Sequence, residues 1–223
     1  MSSLYRRGGV PLGGQAVGIK HTGTTTLGIV CKDAVVMATD SRVTMGNYIA
    51  HHKGKKLHMV DNNLGMTIAG TVADAQNMID VLRYYARLYR VEHDRPFPIS
   101  SAARVASNVF FGQRYYPYMV QSLLGGYDQD GPGLYYVDLF GTLTREKFSS
   151  TGSGSPVVYG ILESAYVNDL AVDDALRLAA KGVTYAMKRD SASGDSIDLA
   201  VVGPQGYKEL TFQEKETLIG SLR

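Results

Sequence analysis

The apolar pattern of the chain begins abruptly at Thr24. From there TTTLGIVCK and AVVMATD form two β-rich runs joined at Lys32-Asp33, and KKLHMV and LGMTIAG form two more joined at Asp61-Asn62-Asn63. Runs rich in β-branched residues, broken by short polar turns, predict hairpins. The period then changes. Ala75, Ile79, Leu82 and Ala86 recur at helical spacing beside Met78, Tyr85 and Tyr89, and a second helical stretch runs from about Ile99 to Gln113. MVQSLLGGY, GLYYVDL and TREKFSSTG return to strand character. Pro156 opens a helix through Tyr166, since a first-turn proline lacks only an N–H that has no intrahelical partner. The next helix, Val172 to about Arg189, carries Asp173 and Asp174 in its first turn and Lys188 and Arg189 in its last, matching the helix dipole at both ends. SIDLAVVG and YKELTF close the chain as strands before a short polar helix.

The order is strands, two helices, strands, two helices, strands. Helices set apart in pairs from runs of strands predict an α+β layered domain rather than a parallel βαβ fold. No repeat of solenoid period and no interdomain linker is visible. With 223 residues, 44% of them hydrophobic and 20% charged, the chain is long enough for one sizeable core.

Residues Met1 to Gly23 differ from the rest, with six glycines, one proline and no acid. They offer too little apolar area to offset the entropy of ordering, and are expected to be a removable leader ahead of a domain spanning residues 24–223. Taking Arg6, Arg7 and Lys20 from the 23 basic residues leaves 20 against 21 acidic ones, so the +2 of the whole chain becomes −1. The basic excess belongs to the leader. No basic run interleaved with aromatics marks a nucleic-acid partner. The leader is broken by glycine and proline and lacks the apolar core of roughly 7–15 residues that secretion requires. No run of about 18 apolar residues marks a membrane span. A cytoplasmic protein is expected. The single cysteine, Cys31, lies in an apolar stretch and reads as a small buried strand residue. The five histidines show neither HExxH spacing nor a cysteine partner, and no phosphate-cradling glycine motif occurs, so neither metal nor cofactor is expected.

The Gly23-Thr24 junction carries the chemistry of most interest. Consecutive threonines suit a strand, yet the junction also permits a reaction. Gly23 has no Cβ, so the Thr24 hydroxyl can approach the Gly23 carbonyl, cut the chain and free the Thr24 amine. A terminal amine with a reference pKa of about 7.7–8.0 is substantially neutral near pH 7, so one residue can supply both nucleophile and base. A buried lysine nearby would lower the amine's pKa, and a carboxylate would hold that lysine charged; Lys56 and Asp40 are candidates. Taken singly, other stretches have plainer readings. Asp40-Ser41-Arg42 fits an ordinary strand end and KGKK (residues 53–56) a solvated turn. TGSGS (residues 151–155) fits a connector, and DSASG (residues 190–194) a helix-ending turn with a glycine cap.

Taken in order, TGTTTLGIV, AVVMATDSRVTM, GKKLHMV, MTIAGTVADAQ, PYMVQSLLGGYD, SSTGSGSPVVYGILE and KRDSASGDSIDLAVV resemble the motif series of proteasome β subunits, above all the archaeal type. The resemblance runs from about Gly23 to the final strand. It implies a four-layer αββα sandwich of the N-terminal-nucleophile hydrolase class and a threonine endopeptidase that degrades unfolded proteins through an acyl-ester. By position in the matching motifs it implies Thr24 as nucleophile, Asp40 and Lys56 as the charged pair beside it, and Gly70 as the oxyanion N–H donor. Ser153, Asp190 and Ser193 would hold the threonine amine and hydroxyl, and Val43, His58, Ile68 and Val72 would line an apolar side-chain pocket. It also implies seven-membered β rings stacked within α rings and served by a regulatory ATPase, with cleavage between Gly23 and Thr24 delayed until assembly.

Overall fold

The computed structural model describes residues 23–220; of the expected leader only Gly23 is among them, and Met1 to Thr22 lie outside the described residues. Two five-stranded antiparallel sheets form the centre. The first has the order β10-β1-β2-β11-β12, built from Phe148–Thr151, Thr26–Val30, Val35–Asp40, Ile197–Gly203 and Gly206–Glu209. The second runs β5-β6-β7-β8-β9, from Leu57–Asp61, Leu64–Gly70, Val120–Asp128, Gly131–Val137 and Leu143–Glu146. A small hairpin, β3 (Val43–Met45) with β4 (Tyr48–His51), lies between them in sequence.

Strand alternation explains the layers. On β2, Val35 and Met37 point into the space between the sheets, where they meet Leu57, Leu123, Leu134 and Ala200. Val36 and Ala38 point the other way, onto α3 (Ser155–Ala165) and α4 (Val172–Arg189), with Val158, Ala179 and Val183. A strand buried on both faces reads as a continuous apolar run, as VVMA does. The second sheet likewise turns Met66, Ile68 and Leu124 outward to α1 (Val72–His93) and α2 (Ile99–Gly112), against Met78, Leu82 and Phe110. The result is helices, sheet, sheet, helices: the expected α+β four-layer sandwich. A last helix, α5 (Phe212–Gly220), packs its Leu218 and Ile219 against the α3/α4 layer.

Two local features go beyond the sequence pattern. TREKFSSTG is two strands separated by Lys147: β9 edges the second sheet and β10 the first, so the chain changes sheets within a single residue. Neither LTRE nor FSST alternates apolar and polar residues, so the sequence carries no record of which sheet each strand joins. The β3–β4 hairpin is mostly exposed and turns at Gly46, whose φ is +62°; with little buried face it leaves little apolar pattern to read.

Candidate active site

Thr24 sits two residues before β1, and its side-chain hydroxyl donates to the Gly23 carbonyl oxygen at 2.7 Å. The contact lies where the chain is crowded. A Cβ on residue 23 would come within 1.7 Å of the Ala192 Cβ and 3.0 Å of the Ser153 Oγ, so only glycine fits. The Gly23 N–H donates to the Thr44 hydroxyl at 2.9 Å, tying the junction to the β3–β4 hairpin.

Below the threonine lies a buried charge pair. The Lys56 Nζ donates to Asp40 Oδ1 at 2.7 Å, with Lys56 5% exposed and Asp40 fully buried. Burial alone would make this carboxylate costly, but the backbone surrounds it with donors: the N–H groups of Thr25 (2.8 Å), Gly194 (2.9 Å) and Arg42 (3.1 Å). Burial pushes the Lys56 ammonium below the usual lysine range, and Asp40 opposes that shift.

Beside the threonine runs a chain of hydroxyls. The Thr24 N–H donates to Ser153 Oγ at 3.2 Å, and both Ser153 Oγ and Ser193 Oγ donate to Asp190 Oδ2 at 2.6 Å. Ser193 Oγ also lies 2.7 Å from Thr25 Oγ1. Thus Thr24, Asp40, Lys56, Ser153, Asp190 and Ser193 form one connected cluster, drawn from the start of β1, the end of β2, the start of β5, the turn before α3 and the loop after α4.

Gly70 ends β6 with φ +138°, and a Cβ there would lie 1.9 Å from the Met119 carbonyl oxygen, so the position requires glycine. It lies two residues past Ile68, whose N–H donates to the Lys56 carbonyl at 3.0 Å. The expected pocket residues fall on four elements. Val43 opens β3, His58 is on β5, Ile68 is packed into the α1/α2 core, and Val72 opens α1 and is exposed. Burial holds the His58 imidazole below its usual pKa, and the bond between Nε2 and the Lys55 carbonyl opposes that shift.

The structure revises the plainer readings of these stretches. Gly152 and Ser153 are packed against Thr24, since a Cβ at residue 152 would meet the Thr24 carbonyl oxygen at 2.1 Å. Gly194 is no helix cap: α4 ends at Asp190 in extended conformation, and Gly194 instead gives its N–H to Asp40. Thr25, Arg42 and Gly194 are the site residues missed from the sequence, because their contribution is a backbone N–H that no side-chain motif announces. Among the described residues no group of three or more His, Cys, Asp or Glu side chains is placed to hold a metal ion, and no helix is long and apolar enough to cross a membrane.

The family model described as Proteasome subunit matches residues 20–202. Proteasome subunit beta 2 of Nitrosopumilus maritimus is 44% identical over 88% of this chain and 94% of its own length. Its counterpart in Staphylothermus marinus is 47% identical over 88% and 95%, and proteasome subunit beta of Archaeoglobus profundus is 42% identical over 91% and 95%. Joined to a helix-sheet-sheet-helix fold, matches of this extent show that the chain belongs to the proteasome subunit family, as an archaeal-type β subunit of the protease core.

Proposed function

We propose that this chain is the precursor of a threonine endopeptidase subunit that cuts itself between Gly23 and Thr24 and then hydrolyses unfolded proteins to short peptides. The observation that carries the reading is the Thr24 hydroxyl held 2.7 Å from the carbonyl oxygen of the bond to be cut. Attack of Thr24 Oγ1 on the Gly23 carbonyl carbon, with the hydroxyl proton passing to the departing Thr24 nitrogen, converts the peptide to an ester. Water then releases Met1 to Gly23 as an acid and leaves Thr24 with a free amine.

In the mature subunit that amine takes the hydroxyl proton as Thr24 attacks a substrate carbonyl, and later activates the water that opens the acyl-ester. Lys56, held charged by Asp40, lowers the amine's proton affinity, while Ser153, Asp190 and Ser193 orient it. The Gly70 N–H stabilises the oxyanion, a contribution of about 3–4 kcal/mol in other acyl-transfer enzymes. Val43, uncharged His58, Ile68 and Val72 line the pocket for an apolar side chain. No cofactor or metal takes part.

The subunit acts within seven-membered β rings stacked between α rings, in the cytoplasm, with a regulatory ATPase feeding unfolded chains through the α rings. Nucleic acid and membrane are not partners. The test is intact mass after co-expression with an α-type partner. Loss of Met1 to Gly23 in assembled particles, abolished by Thr24→Ala together with peptidase activity, is expected. An uncut chain in complete particles would point instead to a non-catalytic ring subunit.

A further inference from the structure

The loop after α4 supplies both Ser193 and the Gly194 N–H, and its far end is tied to the end of β2 by the Ser41 N–H to the Ser196 carbonyl (3.0 Å), the Arg42 N–H to the Gly194 carbonyl (3.2 Å) and the Ser196 N–H and hydroxyl to Ser41 Oγ. A further set of contacts grips it from outside. The Arg42 guanidinium grips the Asp195 carboxylate with two bonds, Nε to Oδ2 at 3.1 Å and Nη2 to Oδ1 at 3.4 Å. Its remaining nitrogen, Nη1, donates to the Ser191 carbonyl at 3.1 Å. Arg42 therefore spans the loop from residue 191 to residue 195, and His52 Nδ1 meets Asp195 Oδ1 from the β4 side at 3.0 Å. Both Arg42 and Asp195 are about a fifth exposed, so the fork is only partly screened by water.

Two features show that the loop is shaped around this fork. Asp195 has φ +73°, a conformation that costs a non-glycine residue energy unless its surroundings enforce it. At Gly194 a Cβ would lie 2.3 Å from Arg42 Cζ, so the guanidinium lies against a glycine that leaves room for it. The fork is also directly connected to the charge pair, since the Arg42 N–H donates both to Asp40 Oδ2 at 3.1 Å and to the Gly194 carbonyl at 3.2 Å.

We propose that Arg42 and Asp195 are positioning residues for the reaction: their bidentate pair presses the 190–196 loop onto the end of β2, holding the Gly194 N–H on Asp40 and the Ser193 hydroxyl on Thr25. The inference rests on Thr24 being the nucleophile. Neither side chain touches the reacting atoms. Loosening the fork withdraws one of four donors from Asp40 and releases the Ser193–Asp190 hydroxyl contacts, so the damage falls on the chemical step rather than on substrate binding.

The test uses assembled particles and reads kcat and KM on a fluorogenic peptide, with the rate of Thr24 acylation by an electrophilic peptide. Asp195→Gly keeps the backbone conformation and removes only the carboxylate, and Arg42→Lys keeps the charge and loses the planar fork. Each is expected to lower kcat and acylation about tenfold with KM changed less than about twofold. Asp195→Asn, which tolerates the left-handed conformation and keeps one acceptor, should recover most of the rate. Wild-type kcat in Asp195→Gly, a rise in KM alone, or failure of both variants to assemble would overturn the positioning role. Thr24→Ala runs alongside: acylation persisting there would sink the nucleophile assignment, whereas an inert Thr24→Ala beside a fully active Asp195→Gly would remove only the clamp.

Discussion

Lys55 and Lys56 are consecutive, each with a carboxylate partner at hydrogen-bond distance, yet they belong to different regions of the molecule. Lys55 reaches outward to Glu209 Oε1 at 2.9 Å, with side chains 57% and 42% exposed. Lys56 turns inward to Asp40 at 2.7 Å, with side chains 7% and 0% exposed. Distance does not separate them; burial does. An exposed pair gains little because water screens it and two long side chains lose freedom, whereas a buried pair is poised between a large desolvation cost and a large mutual attraction. The outer pair can be lost without much consequence, and the inner one cannot be half removed.

Breaking the inner pair from its carboxylate side should have the largest effect. Asp40→Ala leaves a buried ammonium and three backbone N–H groups without their acceptor, and is expected to destabilise the fold by about 5 kcal/mol, the upper end of the range for a broken buried pair, in urea unfolding. Lys56→Met should cost less, roughly 3 kcal/mol, because three backbone donors still hold Asp40. It should nonetheless abolish leader removal, as seen by intact mass.

The pH dependence sharpens the same contrast. The folded-state pKa of Lys56 is depressed, so the native chain binds fewer protons than the unfolded one between that value and 10.5. Stability relative to Lys56→Met should therefore rise with pH across that window, measured by denaturant midpoints. Lys55→Ala and Glu209→Gln should each change stability by less than about 1 kcal/mol and leave processing intact. Burial would raise the Glu209 pKa, but its bonds to Lys55 and Tyr207 outweigh that and lower it. Its small contribution is therefore present above 4.5 and fades as pH falls through the lower folded value, a loss that Glu209→Gln should remove.

Much of this arrangement was legible in the chain. The two hairpins joined at Lys32-Asp33 and Asp61-Asn63 and the helices at 72–93, 99–112 and 172–189 follow from period and turn chemistry. The side chains of the charge pair and the hydroxyl cluster were legible through their motifs. What could not be read was anything decided by partners distant in sequence. TREKFSSTG does not state that it switches sheets, and Gly194 looks like a helix cap until Asp40 is placed beside it.

The first sheet has a temporal side as well. Strand β1, which follows Thr24 and Thr25, is flanked by β2 just after it and by β10, made well over a hundred residues later. The hydroxyl of Thr25 meets a serine 168 residues away, and Asp40 waits for a glycine 154 residues on. Contacts this non-local close slowly, and a ribosome delivers their far halves last. A chain stalled or truncated before residue 190 therefore holds a threonine with no working surroundings. On the proposed function, completion of synthesis is itself a lock on the site, one set before any cut at Gly23-Thr24.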